Sequence, residues 1–204
     1  RIVTKLERHY ADFDGLNLTW ESLEGIAKHN GPLIGPNADP KHAPDPLPYA
    51  LVEANADWDL ELHTHASAEA QVAAIADDVA YSHHDLHDGL RSGLFDENDL
   101  MQLPVTGPAF AEVDRLYPGL EKMRRRHEAL RRVFGRMVED VIAVAQNRLS
   151  SAQPKSVDEI RHLGTTVIRF SKPLYQDLKA VRSFLFTRMY RAPSVMAVRA
   201  EVTQ

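Results

Sequence analysis

Hydrophobic residues recur every three or four positions along most of the chain, which is the spacing of one face of an α-helix. The pattern is clearest in residues 19–28, 67–91, 120–149 and 174–190, and residues 2–10 show it over a shorter stretch. Thr19 and Ser67 stand where N-cap residues are expected, and Gly31-Pro32 is a stop signal. Residues 92–118 are expected to form loops and short helices. The pattern predicts a mainly helical protein.

The apolar positions of the four main helices are expected to face the core. In the first helix these are Trp20, Leu23, Ile26 and Ala27. In the second they are Val72, Ile75, Ala76, Val79, Leu86 and Leu90. In the third they are Leu130, Val133, Met137, Val138, Val141, Ile142 and Ala145, and in the fourth Leu178, Val181, Leu185 and Met189.

Two segments depart from the helical pattern. The segment of residues 165–170 is short, rich in β-branched side chains and placed between Gly164 and Pro173, so it is a candidate strand. Residues 31–48 hold six of the twelve prolines, a density that excludes a helix interior or a sheet ladder. A loop of this length is expected to be a lid or a disordered segment. The expected fold is all-α with at most one short β element.

Composition narrows the possible functions. The 204 residues are 44% hydrophobic, enough for a folded core, and the formal net charge of -5 argues against a general nucleic-acid surface. Without cysteine, disulfides and zinc-thiolate sites are excluded, and a cytoplasmic setting is expected. No stretch approaches the roughly 18 apolar residues that a membrane span needs. The absence of an initiator Met suggests a trimmed or partial chain.

Charged and titratable residues are clustered in the second half of the second predicted helix. Between positions 77 and 88 it carries four Asp and three His, and Asp77, Tyr81, His84, Asp85 and Asp88 fall on one face. Like charges one turn apart destabilise a helix, so this face needs solvent, a cation or a ligand. A solvated acidic face and a binding site are both open at this point.

Several blocks together resemble the bacterial dGTPase-like triphosphohydrolases of the HD superfamily. The closest match covers residues 68–81, followed by His84-Asp85 and by residues 88–91. Further matching blocks, in the same order along the chain, are residues 15–21, 23–25, 28–32, 184–186 and 189–190. The resemblance is to the C-terminal portion of these proteins.

The resemblance implies an HD-type helical fold and a metal-dependent hydrolysis of a deoxynucleoside triphosphate to deoxynucleoside and triphosphate. In the family a His, a His-Asp dipeptide and a distant Asp hold a divalent metal of the Mg, Mn, Fe or Co class. Asp77 matches the distant Asp, Tyr81 the residue against the sugar and phosphates, and Asp85 the carboxylate that accepts the 3′-hydroxyl. Asp78 is expected to orient the site.

The resemblance also implies what is missing. His84-Asp85 lies inside the distant-Asp helix, so it is not expected to be the metal-binding dipeptide. That dipeptide and the first His normally precede the point where this chain begins. The chain is therefore expected to supply one wall of the site and to be inactive alone. Residues 1–150 are expected to belong to the catalytic core and residues 151–204 to a helical subdomain.

Two further substrate contacts are expected. Arg126 is chosen from a basic run at the start of the third helix, in a region where relatives bind the triphosphate, although a solvated basic face is the alternative. His29 either faces substrate or caps its helix by bonding to terminal carbonyls. His63 and His65 are expected to be structural.

The expected partners are a dNTP substrate, a second copy of the chain and a regulatory nucleotide, with no membrane. An apolar cluster suits subunit contacts: Phe184, Phe186, Met189 and Tyr190. The alternative function is therefore an incomplete nucleotide-binding or oligomerisation module. A phosphodiesterase-like HD protein is a weaker alternative.

Overall fold

A computed structural model describes residues 1–202, and all the regular structure in that range is helical. A π-helical turn, Ile2–Leu6, comes first, and a second π-helical turn, Phe186–Tyr190, follows α8. The α-helices are α1 (Trp20–Lys28), α2 (Tyr49–Trp58), α3 (Ala68–Ser92), α4 (Glu97–Met101), α5 (Thr106–Leu116), α6 (Lys122–Ala152), α7 (Val157–Arg161), α8 (Lys172–Leu185) and α9 (Pro193–Val202). The all-α prediction is confirmed.

The N-terminal ends of the predicted helices are set by side-chain caps. The Thr19 hydroxyl accepts a hydrogen bond from the Ser22 amide, and the Ser67 hydroxyl accepts one from the Ala70 amide. These caps satisfy amides that have no partner within the helix, so α1 and α3 begin where the sequence indicated. The expected helix at residues 2–10 is only a π-helical turn, and the pattern did not reveal α2 or α9.

The candidate strand at residues 165–170 does not form within the described part of the chain. The amides of Val167 and Ile168 donate instead to the side-chain oxygen of Gln71, at 2.8 and 3.1 Å. Arg148 donates to the carbonyl of Thr166 at 2.9 Å. Side chains of α3 and α6 thus take the place of a neighbouring strand.

The chain divides into two compact units whose boundaries differ from the expected one at residue 150. The first unit comprises Arg1–Ala76 with Ala145–Arg169, and the second comprises Asp77–Val144 with the chain from Phe170 onward. The expected division into a catalytic core and a C-terminal subdomain stays a prediction.

The core of the first unit forms around α1. Leu23, Leu33, Leu60 and Leu62 are buried together, with Trp20 and Leu51 packed against them. Leu33 comes from the proline-rich segment, whose start is held by amide hydrogen bonds from Leu33 and Ile34 to the Leu62 carbonyl. Residues 31–48 contain no helix, as expected, but their beginning is part of the core.

A group of charged side chains is buried beside this core. Glu24 accepts hydrogen bonds from Nε and Nη2 of Arg161 at 2.8 and 3.0 Å, and its carboxylate lies 3.1 Å from Nζ of Lys28. Lys28 also donates to the Thr64 hydroxyl at 2.8 Å. Burial lowers the pKa of Lys28, and its contacts with Glu24 oppose that effect. The Arg161 guanidinium covers the Trp20 ring, at 4.8 Å from the ring centre.

The core of the second unit is built from α3, α4, α5, α6 and α8. Its most completely buried apolar side chains include Leu86, Leu100, Phe110, Val113, Leu130, Val133, Met137 and Val181. Four residues of the expected stripes are instead exposed, namely Ala76, Ile26 at 53%, Val72 at 49% and Ile142 at 51%. The helical period identified the four main helices, but which side of a helix is buried depends on the elements that pack against it.

Replacing Glu24 with Ala is expected to lower the free energy of unfolding by about 3–5 kcal/mol, because Arg161 and Lys28 would remain buried without their counter-charge. Denaturant unfolding of the two proteins measures this difference. Glu21→Ala, on the exposed side of the same helix, is the control and should cost less than about 1 kcal/mol. If the two substitutions lower the free energy of unfolding equally, the buried ion pairs of Glu24 do not stabilise the first unit in the way described.

Candidate functional site

The second half of α3 presents Asp77, Tyr81 and Asp85 one helical turn apart. The three positions span about 12 Å along the helix axis. Asp77 is exposed, Tyr81 is 57% exposed and Asp85 is only 9% exposed. The acidic face is therefore open to solvent at its N-terminal end and closed at Asp85.

Asp85 is closed off by Tyr190, which the sequence analysis had placed only in an apolar cluster. The Tyr190 hydroxyl donates a hydrogen bond to Oδ2 of Asp85, and its oxygen lies 2.7 Å from the hydroxyl oxygen of Tyr81. The two tyrosine rings are nearly parallel, with an interplanar angle of 7°. Burial raises the pKa of the Tyr190 phenol, and the hydrogen bond to Asp85 adds to the increase.

This arrangement shows what the carboxylate of Asp85 can do. A charged acceptor that is nearly buried binds hydroxyl donors strongly, since water competes poorly there. Tyr81 and Tyr190 add flat apolar surfaces beside it. The three side chains form a site suited to a hydroxyl group attached to an apolar or ring-shaped body.

Next to Asp77 in sequence, Asp78 forms an ion pair with α8. Nη2 of Arg182 lies 3.2 Å from Oδ2 of Asp78, and both side chains are substantially exposed. Successive helical residues point about 100° apart, so this pair lies at the level of Asp77 along α3 but beside the acidic face. The orienting role expected for Asp78 stays a prediction, and its observed partner is Arg182.

Asp77 does not belong to a metal centre formed by the described residues alone. No group of three His, Asp or Glu side chains within residues 1–202 is arranged to hold a metal ion. A catalytic metal site needs about three protein ligands, so residues 1–202 do not by themselves form a site that fits the divalent metal. The role of Asp77 as one ligand stays a prediction.

Arg126 lies in a network of ion pairs on the same unit. Its Nε contacts Glu97, whose other oxygen is held by Arg125, and Arg125 also donates to Asp114 at 2.6 and 2.8 Å. His127, the next residue, lies against His87 of α3 with the ring centres 5.3 Å apart. The backbone of Arg126 therefore lies near His87, two residues beyond Asp85 on α3, while its side chain is held at Glu97. Its contact with the triphosphate stays a prediction.

His29 belongs to the first unit and caps α1. Its Nδ1 lies 2.9 Å from the carbonyl oxygen of Ile26, which agrees with the capping alternative. Its ring also lines a cavity of about 310 Å³, together with Leu23, Leu33 and His42. A substrate contact by His29 remains a prediction.

The expected oligomer contact is partly used within the chain. Phe184 packs edge-on against Phe95, with the ring centres 5.0 Å apart, and Tyr190 contacts Tyr81. Phe186 remains 54% exposed.

Within residues 1–202, no helix is long and apolar enough to cross a membrane.

Tyr190→Phe keeps the ring and removes the hydroxyl. Because the nearly buried Asp85 then loses its partner, we expect the free energy of unfolding to fall by about 1–3 kcal/mol at neutral pH. Denaturant unfolding measures the loss. Tyr175→Phe, at an exposed position on α8, is the control and should change stability little.

The same pair of proteins should show a signature at alkaline pH. Since the folded-state pKa of Tyr190 is raised, its stabilisation is complete below the unfolded pKa of about 10 and is lost as the pH rises towards the folded value. The stability difference between the native protein and Tyr190→Phe should therefore be constant below about pH 10 and shrink above it. A difference that grows above this pH would contradict the assignment.

Known proteins similar to this one match it over its whole length. No protein-family model matches it. The chain is 82% identical over 203 residues to a deoxyguanosinetriphosphate triphosphohydrolase-like protein of Cereibacter sphaeroides. It is 73% identical to one of Paracoccus denitrificans and 64% identical to one of Roseobacter denitrificans, each over 204 residues. All of the chain is covered, but it spans about half the length of these relatives, 51% of the first. The predicted resemblance is thus confirmed: along its whole length the chain corresponds to about half of a deoxyguanosinetriphosphate triphosphohydrolase-like protein.

Proposed function

We propose that the full-length protein hydrolyses deoxynucleoside triphosphates, dGTP among them, to deoxynucleoside and triphosphate, and that this chain supplies the face that binds the sugar. The reaction is the one for which the similar proteins, deoxyguanosinetriphosphate triphosphohydrolase-like proteins, are named. The main support for the proposal in the structure is the nearly buried Asp85 carboxylate, which accepts a hydrogen bond from the Tyr190 hydroxyl. The 3′-hydroxyl of a deoxyribose is also an O–H donor and could donate to the same carboxylate.

The spacing of charges along α3 agrees with a nucleotide lying along the helix. Asp85 and Asp78 are seven residues apart, or about 10 Å along the axis. A sugar at Asp85, with its ring against Tyr81, would extend its phosphate groups towards the Arg182 guanidinium. Arginine is suited to phosphate because its planar donors can bind two oxygens at once.

A divalent metal bound at an HD-type site would neutralise phosphate charge and activate water. This chain would contribute the Asp77 carboxylate, and the remaining ligands would come from the part of the protein that the chain does not span. The residues of this chain bind and orient the substrate. We infer that the chain alone is inactive, and that oligomer formation and a regulatory nucleotide are properties of the full-length protein.

The reaction is tested by its products. The full-length protein with dGTP and Mg²⁺ or Mn²⁺ should release deoxyguanosine and inorganic triphosphate, as chromatography would show. Asp77→Ala should lower turnover at least about a hundredfold, as loss of a key electrostatic group does. Glu69→Ala, at an exposed position in the first turn of the same helix and outside the acidic face, is the control and should remain active. Release of orthophosphate or pyrophosphate would contradict the proposed reaction.

The sugar site is tested separately with a substrate analogue. Asp85→Ala should weaken binding of dGTP by about tenfold to a hundredfold, because a hydrogen bond to a charged acceptor is lost. The analogue that lacks the 3′-hydroxyl should bind the native protein and the Asp85→Ala variant equally. If the substitution weakens both ligands to the same extent, Asp85 does not read the 3′-hydroxyl.

A further inference from the structure

The contact between Tyr190 and Asp85 depends on an unusual turn of the backbone. Tyr190 is the last residue of the π-helical turn Phe186–Tyr190, which continues α8 directly. The Arg191 amide donates to the Phe186 carbonyl at 3.0 Å, five residues back. A π-helical turn holds one more residue than an α-helical one and is frequently found at functional sites. Relaxation to α-helix would rotate Tyr190 by about 100°, away from Asp85.

An ion pair holds this turn against α4. Nη2 of Arg188, in the middle of the turn, lies 3.2 Å from Oδ2 of Asp99. The Arg188 guanidinium also lies over the Phe184 ring, 5.9 Å from its centre. A π-helical turn is intrinsically less favourable than an α-helical one, so contacts made only in this register are needed to stabilise it.

Asp99 is itself fixed at the start of α4. Its carboxylate accepts the amide hydrogen bond of Asp96 at 3.0 Å, and the Asp96 side chain accepts the amide hydrogen bond of Asp99 at 3.1 Å. This reciprocal pair is a capping box. The ion pair with Arg188 therefore joins the turn to a rigid helix end.

The start of α4 is positioned in turn by α3. Phe95 precedes the capping box, and its ring packs against Phe184 and over Gly89 of α3. A Cβ atom at Gly89 would lie 2.1 Å from the Phe95 ring, so only glycine permits this approach. Gly89 is one helical turn beyond Asp85. A series of contacts thus links α3 to α4 at Phe95, α4 to the π-helical turn at Arg188, and the turn back to α3 at Asp85.

We propose that Arg188 and Asp99 are positioning residues that hold the π-helical turn in the register that brings the Tyr190 hydroxyl to Asp85. They do not themselves contact a substrate. Only the effect on substrate binding rests on the proposed function, because the register of Tyr190 is a property of the ligand-free protein.

The register can be read from the ionisation of Tyr190 in the full-length protein. In an NMR titration of ring-labelled tyrosine, with Tyr190→Phe to assign the signal, the native phenol should have a raised pKa. In Arg188→Gln and in Asp99→Asn the pKa should fall towards the ordinary value of about 10. The loss of a nearby positive charge would by itself raise a phenol pKa, so a fall in Arg188→Gln reports the lost contact with Asp85.

Two variants serve as controls. Arg188→Lys can still pair with Asp99 and should keep the raised pKa. Arg91→Gln removes the same charge at an exposed position near the end of α3, where no ion pair with it is found among residues 1–202, and should also keep it. An unchanged Tyr190 pKa in Arg188→Gln and Asp99→Asn would overturn the proposal.

Kinetics with dGTP separate this proposal from the proposed function. If both hold, Arg188→Gln should raise KM about fivefold, the upper range for a partly exposed ion pair, with little change in kcat. A fall in the Tyr190 pKa without any change in KM would support the positioning role while contradicting a substrate role for Tyr190 and Asp85.

Discussion

The carboxylate of Glu24 is fully buried, and the first unit is organised around the need to compensate its charge. Two oxygens in a place that water does not reach require donors, and these come from Arg161 and Lys28. Arg161 is 137 positions away in sequence, so the pair fixes α7 against α1. A buried ion pair adds little net stability compared with apolar packing, but removing one partner is costly, and the pairing therefore selects one arrangement of the chain.

The position of α3 in the first unit follows from this arrangement. A Cβ atom at Gly25 of α1 would lie only 3.0 Å from Ala70 of α3, so the two helices approach closely. Gln71 of α3 holds the amides of Val167 and Ile168, a few residues after Arg161. The first turns of α3 are thus held from two sides. The helix then continues into the second unit, where it carries Asp77, Tyr81 and Asp85.

The candidate site separates two tasks along one helix. Asp85 is nearly buried and satisfied by a hydroxyl, which suits recognition, whereas Asp77 is exposed and available for a further ligand. The difference arises because Tyr190 covers the Asp85 end of the acidic face. The described residues therefore place a nearly buried carboxylate and an exposed one on the same helix, without a group of side chains arranged to hold a metal ion.

The sequence by itself determined the helical class, the N-terminal ends of α1 and α3, and the face that carries Asp77, Tyr81 and Asp85. These follow from local rules, since capping and the helical period depend on residues within a few positions of each other. The resemblance to the dGTPase-like proteins was also readable, because its motifs are contiguous. Only the tertiary structure decided that Ile26 and Val72 are exposed, that Gln71 replaces a strand partner, and that Tyr190 reaches Asp85. Each of these depends on residues far apart in sequence, and in the last case on one extra residue in a helical turn, which no hydrophobic pattern reveals.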